Sequence, residues 1–247
     1  MPKPSERPAF ILSAGLGTRL RPYTEHTPKP MVKVADRPLI DYTLDHLHAA
    51  GVSDVTLNLF HCGEVLKTHL QDTRSKDFSF TFSEEKTLMH TGGGMKHALH
   101  TMGGHDFFAI NGDALWSEGA GTRALERLAE AWDPEAMDIL LLLHPIEKMH
   151  LTACSGDYRL TETGRAVRAL DQTGPYAFAG VRITSPRVFE HMPEGPFSFL
   201  KCMDAAQECG RLYGLVHEGE WHHISTAQDL ERVDAAFRQA PARAAAQ

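Results

Sequence analysis

Hydrophobic positions along the first 145 residues alternate between short apolar runs and helical patterns. The runs are typical of buried strands, and apolar residues spaced three and four apart predict helices between them. In the helix predicted over 38–50, for example, Leu39, Ile40, Leu44 and Leu47 share one face. The predicted strands are 10–13, 55–59, 78–82, 107–110 and 139–143, and the predicted helices are 38–50, 65–70, 94–102 and 122–132.

Strands that alternate with helices in this way indicate an α/β fold, a Rossmann-like, mostly parallel sheet with helices on both faces. After Pro145 the pattern changes to shorter strands over 159–160, 166–170 and 176–183 and helices near 199–209 and 227–237. We interpret this second part as a small C-terminal subdomain that closes one side of a cleft. Residues 241–247 are predicted to form a frayed tail.

The segment after the first predicted strand has the residues of a phosphate-binding turn. Gly15 and Gly17 can adopt positive φ and bring backbone amides close to an anion, and Thr18, Arg19 and Arg21 add donors and positive charge. Two commoner glycine motifs are excluded. Leu20 stands where a dinucleotide-binding Gly-x-Gly-x-x-Gly motif needs its third glycine, and no Gly-Lys-Ser/Thr follows as in a Walker A loop.

The same segment resembles the signature of the sugar-1-phosphate nucleotidyltransferases. The matching residues are Gly15-Leu16-Gly17-Thr18-Arg19-Leu20-Arg21-Pro22-Tyr23-Thr24 and Pro28-Lys29-Pro30-Met31. The resemblance continues through Thr91-Gly92-Gly93-Gly94, Asn111-Gly112-Asp113, Gly156-Asp157-Tyr158, Phe178-Ala179-Gly180 and Trp221 to Thr226. Within the family, the spacing from Ser83 to Gly94 and the compact C-terminal half are most similar to the short N-acetylmuramate-1-phosphate uridylyltransferase type.

This resemblance implies an activity, its substrates and a set of site residues. Residues 1–145 would form the nucleotide-binding core, and 146–247 the sugar-phosphate-binding and C-terminal helical part of the same domain. The implied catalytic residues are Arg19, Lys29 and Asp113. Nucleotide binding is expected from Ala14, Gly15, Gly17, Thr18, Arg19, Thr91, Gly92 and Gly93, and acceptor binding from Asn111, Gly112, Gly156, Asp157 and Gly180.

The implied cofactor is Mg²⁺, which takes one or two carboxylates together with substrate phosphates and water. Asp113 is the expected ligand. His223 occupies the position of a second ligand, because Trp221-His222-His223-Ile224-Ser225-Thr226 matches a Trp-x-Asp-x-Gly-Thr pattern whose aspartate binds metal. Imidazole is a softer ligand than Mg²⁺ prefers. The sequence therefore leaves open whether His223 contacts metal, contacts phosphate or does neither.

Two further departures from the family pattern concern specificity. His90 replaces the glutamate that usually precedes Thr-Gly-Gly. The stretch 169–173 lacks the Glu-Lys-Pro of the longer family members, so no obvious lysine holds the sugar phosphate. The selected nucleoside and sugar are therefore not decided by the sequence.

Composition restricts the partners and the location. A formal net charge of −7 over 247 residues argues against a general nucleic-acid-binding surface, which needs clustered Lys and Arg. Four cysteines without Cys-x-x-Cys spacing indicate neither a zinc site nor a disulfide framework. No apolar stretch is long enough to span a membrane, and no signal-peptide pattern begins the chain. We expect a cytoplasmic protein, monomeric or a small homo-oligomer, with no membrane or nucleic-acid partner.

Several functions remain open at this stage. UTP with N-acetylmuramate 1-phosphate is the favoured substrate pair, and GTP with mannose 1-phosphate is the runner-up. A catalytically weakened relative that binds nucleotide as a sensor is the alternative of a different class. A phosphocholine cytidylyltransferase would instead need an aromatic cage, for which Tyr158, Tyr176, Phe178 and Trp221 are candidates.

Overall fold

The computed structural model describes residues 3–239, so the tail predicted over 241–247 lies outside the described residues. Six α-helices are present in this range: α1 (Leu39–Ala49), α2 (Gly63–Arg74), α3 (His90–His97), α4 (Ala124–Ala131), α5 (Leu200–Glu208) and α6 (Ala227–Gln239). The strands are β1 (Ala9–Leu12), β2 (Lys33–Val34), β3 (Arg37–Pro38), β4 (Asp54–Leu59), β5 (Ser79–Glu84), β6 (Phe107–Asn111), β7 (Leu115–Trp116), β8 (Ile139–Pro145), β9 (Tyr158–Leu160), β10 (Ala166–Arg168), β11 (Tyr176–Thr184), β12 (Leu212–Val216) and β13 (Trp221–His222).

A mixed sheet of nine strands forms the centre of the described part of the molecule. Its main path is β10-β9-β11-β6-β1-β4-β5, and β8 pairs with both β11 and β12. The strands β6, β1, β4 and β5 are parallel to one another, with Ile11 paired to Ile110 on one side and Leu57 on the other. This confirms the predicted α/β fold with a mostly parallel sheet in the first part of the chain.

Residues after 145 contribute strands to this same sheet. β11 is antiparallel to both β6 and β8, and β12 is parallel to β8. The hydrophobic pattern did not predict β12, because Gly214 interrupts its short apolar run. A Cβ on Gly214 would lie 2.5 Å from the Leu143 side chain, so the glycine is needed where β12 packs beside β8.

The core lies on both faces of the sheet. Leu39, Ile40, Leu44 and Leu47 of α1 are fully buried, as their helical spacing predicted. The other face packs α3 and α5 against the sheet through Met95, Cys202 and other apolar side chains. Among residues 3–239, no helix is long and apolar enough to cross a membrane.

The helix predicted over 94–102 is wrong in its bounds. The structure has α3 at His90–His97, followed by a 3-10 turn at Leu99–Met102. α3 begins two residues before Gly92, and the Phe197 carbonyl accepts hydrogen bonds from the amides of Gly92 and Gly93 in its first turn, at 2.9 and 3.1 Å. A distant segment thereby satisfies helix-terminal donors, which sequence patterns cannot reveal.

Candidate active site

A cavity of about 490 Å³ opens where β1 and β6 end, at their carboxyl ends. In such a sheet, the loops that follow the parallel strands lie together at the carboxyl ends of the strands, where ligands bind. The loops after β1 and β6 meet there as the sequence predicted. Ten predicted site residues line this first cavity: Ala14, Gly15, Gly17, Thr18, Arg19, Lys29, Thr91, Asn111, Gly112 and Asp113.

Gly15 and Gly17 of the glycine loop each lack a side chain for a different reason. Gly17 has a φ of 61°, and its carbonyl accepts a 2.8 Å hydrogen bond from the Thr24 hydroxyl. A Cβ there would lie 2.9 Å from the Thr24 methyl group. A Cβ on Gly15 would instead have no neighbour within 4 Å, so the lack of a side chain leaves space there rather than avoiding a clash. An anion can therefore approach the backbone closely at Gly15.

Arg19 lies in a 3-10 turn at Thr18–Leu20, just after this loop. Leu20 is buried at 1% exposure and anchors the turn, whereas Arg19 is exposed and lines the cavity. The buried residue therefore fixes the turn that presents the arginine.

Lys29 and Asp113 form an ion pair at the cavity wall, although 84 residues separate them in the chain. Pro28 and Pro30 restrict φ on either side of the lysine. A Cβ on Gly112 would lie 2.8 Å from Pro30 and 2.5 Å from the Leu12 carbonyl. Gly112 thus allows the lysine segment to pack on the ends of β1 and β6, which brings Lys29 to Asp113.

His223 lies near these charges but does not line the cavity. Burial is the main cause of its lowered pKa; the charge of Asp113 opposes this shift, and that of Lys29 adds to it. The His223 amide donates a 3.0 Å hydrogen bond to the Thr152 hydroxyl. His223, which stands at the aspartate position of the sequence pattern, therefore lies close to the Lys29–Asp113 pair.

The described residues offer a limited donor set for a metal. Asp113 is the only acidic residue among those lining the first cavity, and no cluster of three potential ligands occurs in residues 3–239. One hard carboxylate fits Mg²⁺ that is otherwise bound by phosphates and water. The imidazole of His223 does not fit a second hard-ligand position.

The Thr91-Gly92-Gly93 segment lies between the first cavity and Phe197. Thr91 lines the first cavity, as does His90, which has a φ of 58°. The amides of Gly92 and Gly93 are instead bonded to the Phe197 carbonyl, and a Cβ on Gly92 would lie 2.3 Å from the Phe197 ring. These two amides are therefore already bonded within the protein. Contact of the two glycines with nucleotide by other atoms stays a prediction.

Sequence reasoning missed Asn58, whose polar side chain reaches the first cavity from β4. Its side-chain oxygen accepts a 2.8 Å hydrogen bond from the Ser13 amide, and its nitrogen donates to Glu85 at 2.7 Å. The other Glu85 oxygen accepts a bond from the Met89 amide just before α3. A polar residue within the apolar run of β4 was the available signal. Ser198 and Ser225 also line the cavity and were not predicted to do so.

A second cavity of about 440 Å³ adjoins the first, and the two share Thr91, Asn111 and Ser198. Asp157 lines it, and its carboxylate accepts a 2.9 Å hydrogen bond from the Phe178 amide. Burial raises the pKa of Asp157 despite this bond. The two cavities therefore meet at their three shared residues.

Gly156 and Gly180, two predicted acceptor-binding residues, line neither cavity. A Cβ on Gly156 would lie 1.7 Å from the Gly174 carbonyl oxygen. Gly180 has a φ of 79° at an irregularity in the β11–β8 pairing, where its Cβ would lie 3.2 Å from the Asn111 side chain. Both glycines therefore have packing reasons, and their direct contact with an acceptor stays a prediction.

The candidate aromatic cage is not assembled around a common cavity. Tyr158 and Phe178 line the second cavity, whereas Trp221 is 6% exposed and packs in the core. Phe178 already lies 5.4 Å from a cationic group, the guanidinium of Arg182. A quaternary ammonium group placed there would meet a like charge, which disfavours the phosphocholine alternative.

Comparisons with known proteins agree with this arrangement. The family model described as nucleotidyl transferase matches residues 8–149. An N-acetylmuramate alpha-1-phosphate uridylyltransferase of Caulobacter vibrioides is 36% identical, over 94% of this chain and 97% of its own. The protein of the same name from Neisseria meningitidis serogroup B is 28% identical, over 92% and 96%.

More distant relatives and solved structures extend the comparison. Mannose-1-phosphate guanylyltransferase 1 of Arabidopsis thaliana is 29% identical over 90% of this chain and 62% of its own. A crystal structure of UDP-glucose pyrophosphorylase complexed with UDP-glucose aligns with a TM-score of 0.78 at 17% identity, over 94% of this chain and 98% of its own. At that identity the structural match shows a shared fold.

Proposed function

The chain belongs to the nucleotidyl transferase family, and on that basis we propose that it transfers a uridylyl group from UTP to N-acetylmuramate 1-phosphate. The products are the uridine diphosphate sugar and pyrophosphate. The observation that carries the proposal is the joining of Arg19, Lys29 and Asp113 in one cavity beneath an open glycine loop. The 36% identity to a uridylyltransferase over nearly the full chain supports the choice of substrates.

The reaction forms one phosphorus–oxygen bond and breaks another. A phosphate oxygen of the sugar 1-phosphate attacks the α-phosphorus of UTP, and the bond to the β-phosphate oxygen breaks with release of pyrophosphate. This transfer needs positioning and neutralisation of charge, not a covalent enzyme intermediate. We assign Arg19 to the leaving pyrophosphate and Lys29 to the phosphate oxygens at the reacting centre, where fixed cations stabilise the transition state.

The Lys29–Asp113 ion pair holds both charged side chains at the cavity before substrates bind. Each charge compensates the other at the cavity wall, so neither is left unpaired. A triphosphate oxygen at Lys29 and a cation at Asp113 would replace this one pair with two. The exchange therefore keeps every charge compensated during binding.

We propose Mg²⁺ as the cofactor, with Asp113 as its only carboxylate ligand. When bound, the ion would neutralise phosphate charge and orient the reacting oxygens. We assign His223 to a neighbouring position outside the metal's ligand set, because a hard ion prefers oxygen.

The two cavities suggest how the substrates divide between them. The first cavity, with the glycine loop, suits the triphosphate and nucleoside, which Thr91 and His90 would adjoin. The second cavity suits the sugar, and Thr91, Asn111 and Ser198 lie where the two cavities meet. The acceptor phosphate would cross that junction to reach Lys29.

The test is a substrate matrix with the full chain. UTP, GTP, dTTP and CTP are each combined with N-acetylmuramate 1-phosphate, N-acetylglucosamine 1-phosphate, glucose 1-phosphate and mannose 1-phosphate, and pyrophosphate release is measured with Mg²⁺ present. We expect the highest kcat/KM for UTP with N-acetylmuramate 1-phosphate. Asp113→Asn, which keeps the shape but not the charge of the ligand, provides the inactive control.

Other outcomes would replace the proposal. A preference for GTP with mannose 1-phosphate would favour the guanylyltransferases that match over 90% of the chain. Nucleotide binding without turnover of any pair would indicate a sensor that has lost catalysis.

A further inference from the structure

Arg182 of β11 is a buried cation with no ion-pair partner among residues 3–239. The residue is 2% exposed. Its terminal Nη2 atom donates a hydrogen bond to the Met95 sulfur at 3.6 Å. Its Nε has no hydrogen-bond partner in the described structure. Arginine is rarely buried without a carboxylate or other acceptor, so these unused donors need an explanation.

The surroundings of Arg182 are apolar and aromatic. Its guanidinium carbon lies 4.2 Å from the ring centre of Phe199 and 5.4 Å from that of Phe178. Burial lowers its pKa to about 10, with only Cys202 and Tyr158 nearby to oppose the shift. Arg182 therefore stays charged at neutral pH, and an uncompensated buried charge destabilises the fold.

Arg182 borders a ligand-sized space, because it lines the second cavity. The other arginine there, Arg168, is paired with Asp204 at 3.2 Å. Arg182 is thus the cation of this cavity whose charge an incoming anion could compensate. A charge-assisted pair with a buried guanidinium is strong.

The position of Arg182 distinguishes between the anionic groups of an acceptor. The reacting phosphate must reach Lys29 and Asp113, which line the first cavity, whereas Arg182 lines only the second. The group that meets Arg182 therefore belongs to a more distant part of the sugar.

On the premise of the proposed function, we infer that Arg182 binds a carboxylate carried by the sugar of the acceptor and so selects acidic over neutral sugar 1-phosphates. N-acetylmuramate 1-phosphate carries such a group on its lactyl ether. N-acetylglucosamine 1-phosphate is the same sugar phosphate without it. The planar fork of the guanidinium can donate two hydrogen bonds to one carboxylate.

The test compares these two acceptors, at saturating UTP, in the wild type, Arg182→Met and Arg182→Lys. We expect Arg182→Met to lower kcat/KM for the acidic acceptor by about 10- to 100-fold, the range for a hydrogen-bonded charged group, with little change for the neutral one. Arg182→Lys should recover part of the preference. Arg232→Met removes an exposed arginine of α6 that lines neither cavity and should leave both values unchanged.

A thermal measurement shows whether Arg182→Met is folded. Replacing an unpaired buried charge with an apolar side chain should leave Tm unchanged or raise it. An equal loss for both acceptors, or a preference that survives Arg182→Met, would overturn the inference while leaving the proposed function intact.

Calorimetric binding of each acceptor without turnover separates the inference from the proposed function. If UTP is not used, tighter binding of the acidic acceptor that Arg182→Met abolishes would still support the arginine's role. Equal binding of the two acceptors by the wild type would refute it.

Discussion

At the scale of single residues, Lys29 is positioned by two prolines and by Gly112. Its own side chain adds little to the core. Removing the amine should therefore affect chemistry more than folding. His223 also lies near the reacting groups, although it does not line the cavity. Both residues give predictions that kinetics can check.

Lys29→Ala should lower kcat by about a hundredfold to a thousandfold, the range for loss of one preorganised donor to the transition state. The measurement is pyrophosphate release under saturating substrates, with a thermal melt to verify folding. Lys33→Ala is the matched control, since Lys33 is an exposed lysine four residues away that does not line the first cavity. Full activity in a folded Lys29→Ala variant would remove this lysine from the mechanism.

His223→Asp should lower the Mg²⁺ concentration needed for half-maximal rate by about tenfold or more, because it adds a hard, charged oxygen ligand beside Asp113. The readout is a Mg²⁺ titration of the initial rate. His105→Asp adds the same charge in an exposed loop before β6, at the opposite edge of the sheet, and should leave the titration unchanged. An unaltered Mg²⁺ dependence in His223→Asp would make the histidine a packing residue.

At the scale of elements, the start of α6 holds the segment that brings Ser225 to the first cavity. The Asp229 carboxylate accepts hydrogen bonds from the amides of Thr226 and Ser225, at 2.9 and 3.2 Å. The Thr226 hydroxyl in turn accepts a bond from the Asp229 amide, which completes a capping box. Burial alone would raise the pKa of Asp229, but these bonds lower it.

Asp229→Ala should lower the free energy of unfolding by about 1–2 kcal/mol, the usual cost of losing such a cap. Urea titration at pH 7.5 measures the change. Glu231→Ala, an exposed substitution on the same helix, is the control and should change stability little. A loss in the control as large as in Asp229→Ala would show that helix propensity, not capping, is responsible.

At the scale of the whole molecule, several buried histidines link stability to pH. His144 is buried, and its ring lies 6.2 Å from that of His217 and 6.0 Å from that of Trp221. Burial, together with the nearby charge of His217, lowers the pKa of His144 to about 4. Burial also lowers the pKa values of His217 and His222.

The unfolded chain therefore binds more protons than the folded one between about pH 6.5 and pH 4. The contribution of these histidines to the free energy of unfolding should be fully present above the ordinary histidine pKa. It should be lost as the pH drops through this window. Between pH 8 and pH 5, His144 alone should account for a loss of about 2 kcal/mol.

Urea unfolding of the wild type and His144→Phe at pH 8 and pH 5 measures this contribution. The difference between the two pH values should be smaller in His144→Phe, because the group that gains the proton on unfolding is gone. His105→Phe, which replaces an exposed histidine, should keep the wild-type difference. Identical pH dependence in His144→Phe and the wild type would contradict the assignment.

The structure also shows which parts of the prediction needed only local information. The strands β1, β4, β6, β8 and β11 were predicted to within about two residues, since each consists mainly of apolar residues that are neighbours in the chain. β12 was missed because Gly214 breaks its run, and the glycine is required by Leu143, a residue far away in sequence. α3 was displaced for a similar reason, its first amides being bonded to Phe197.

By itself, the sequence determined the α/β alternation, the glycine loop and the presence of Arg19, Lys29 and Asp113 after strands of one sheet. These features depend on side-chain period and on backbone conformations that a few adjacent residues specify. Only the tertiary structure decided that Lys29 pairs with Asp113, that Asn58 reaches the first cavity and that Arg182 is buried without an ion-pair partner among the described residues. Charge compensation and burial depend on which distant groups the fold brings together, and no local pattern records that.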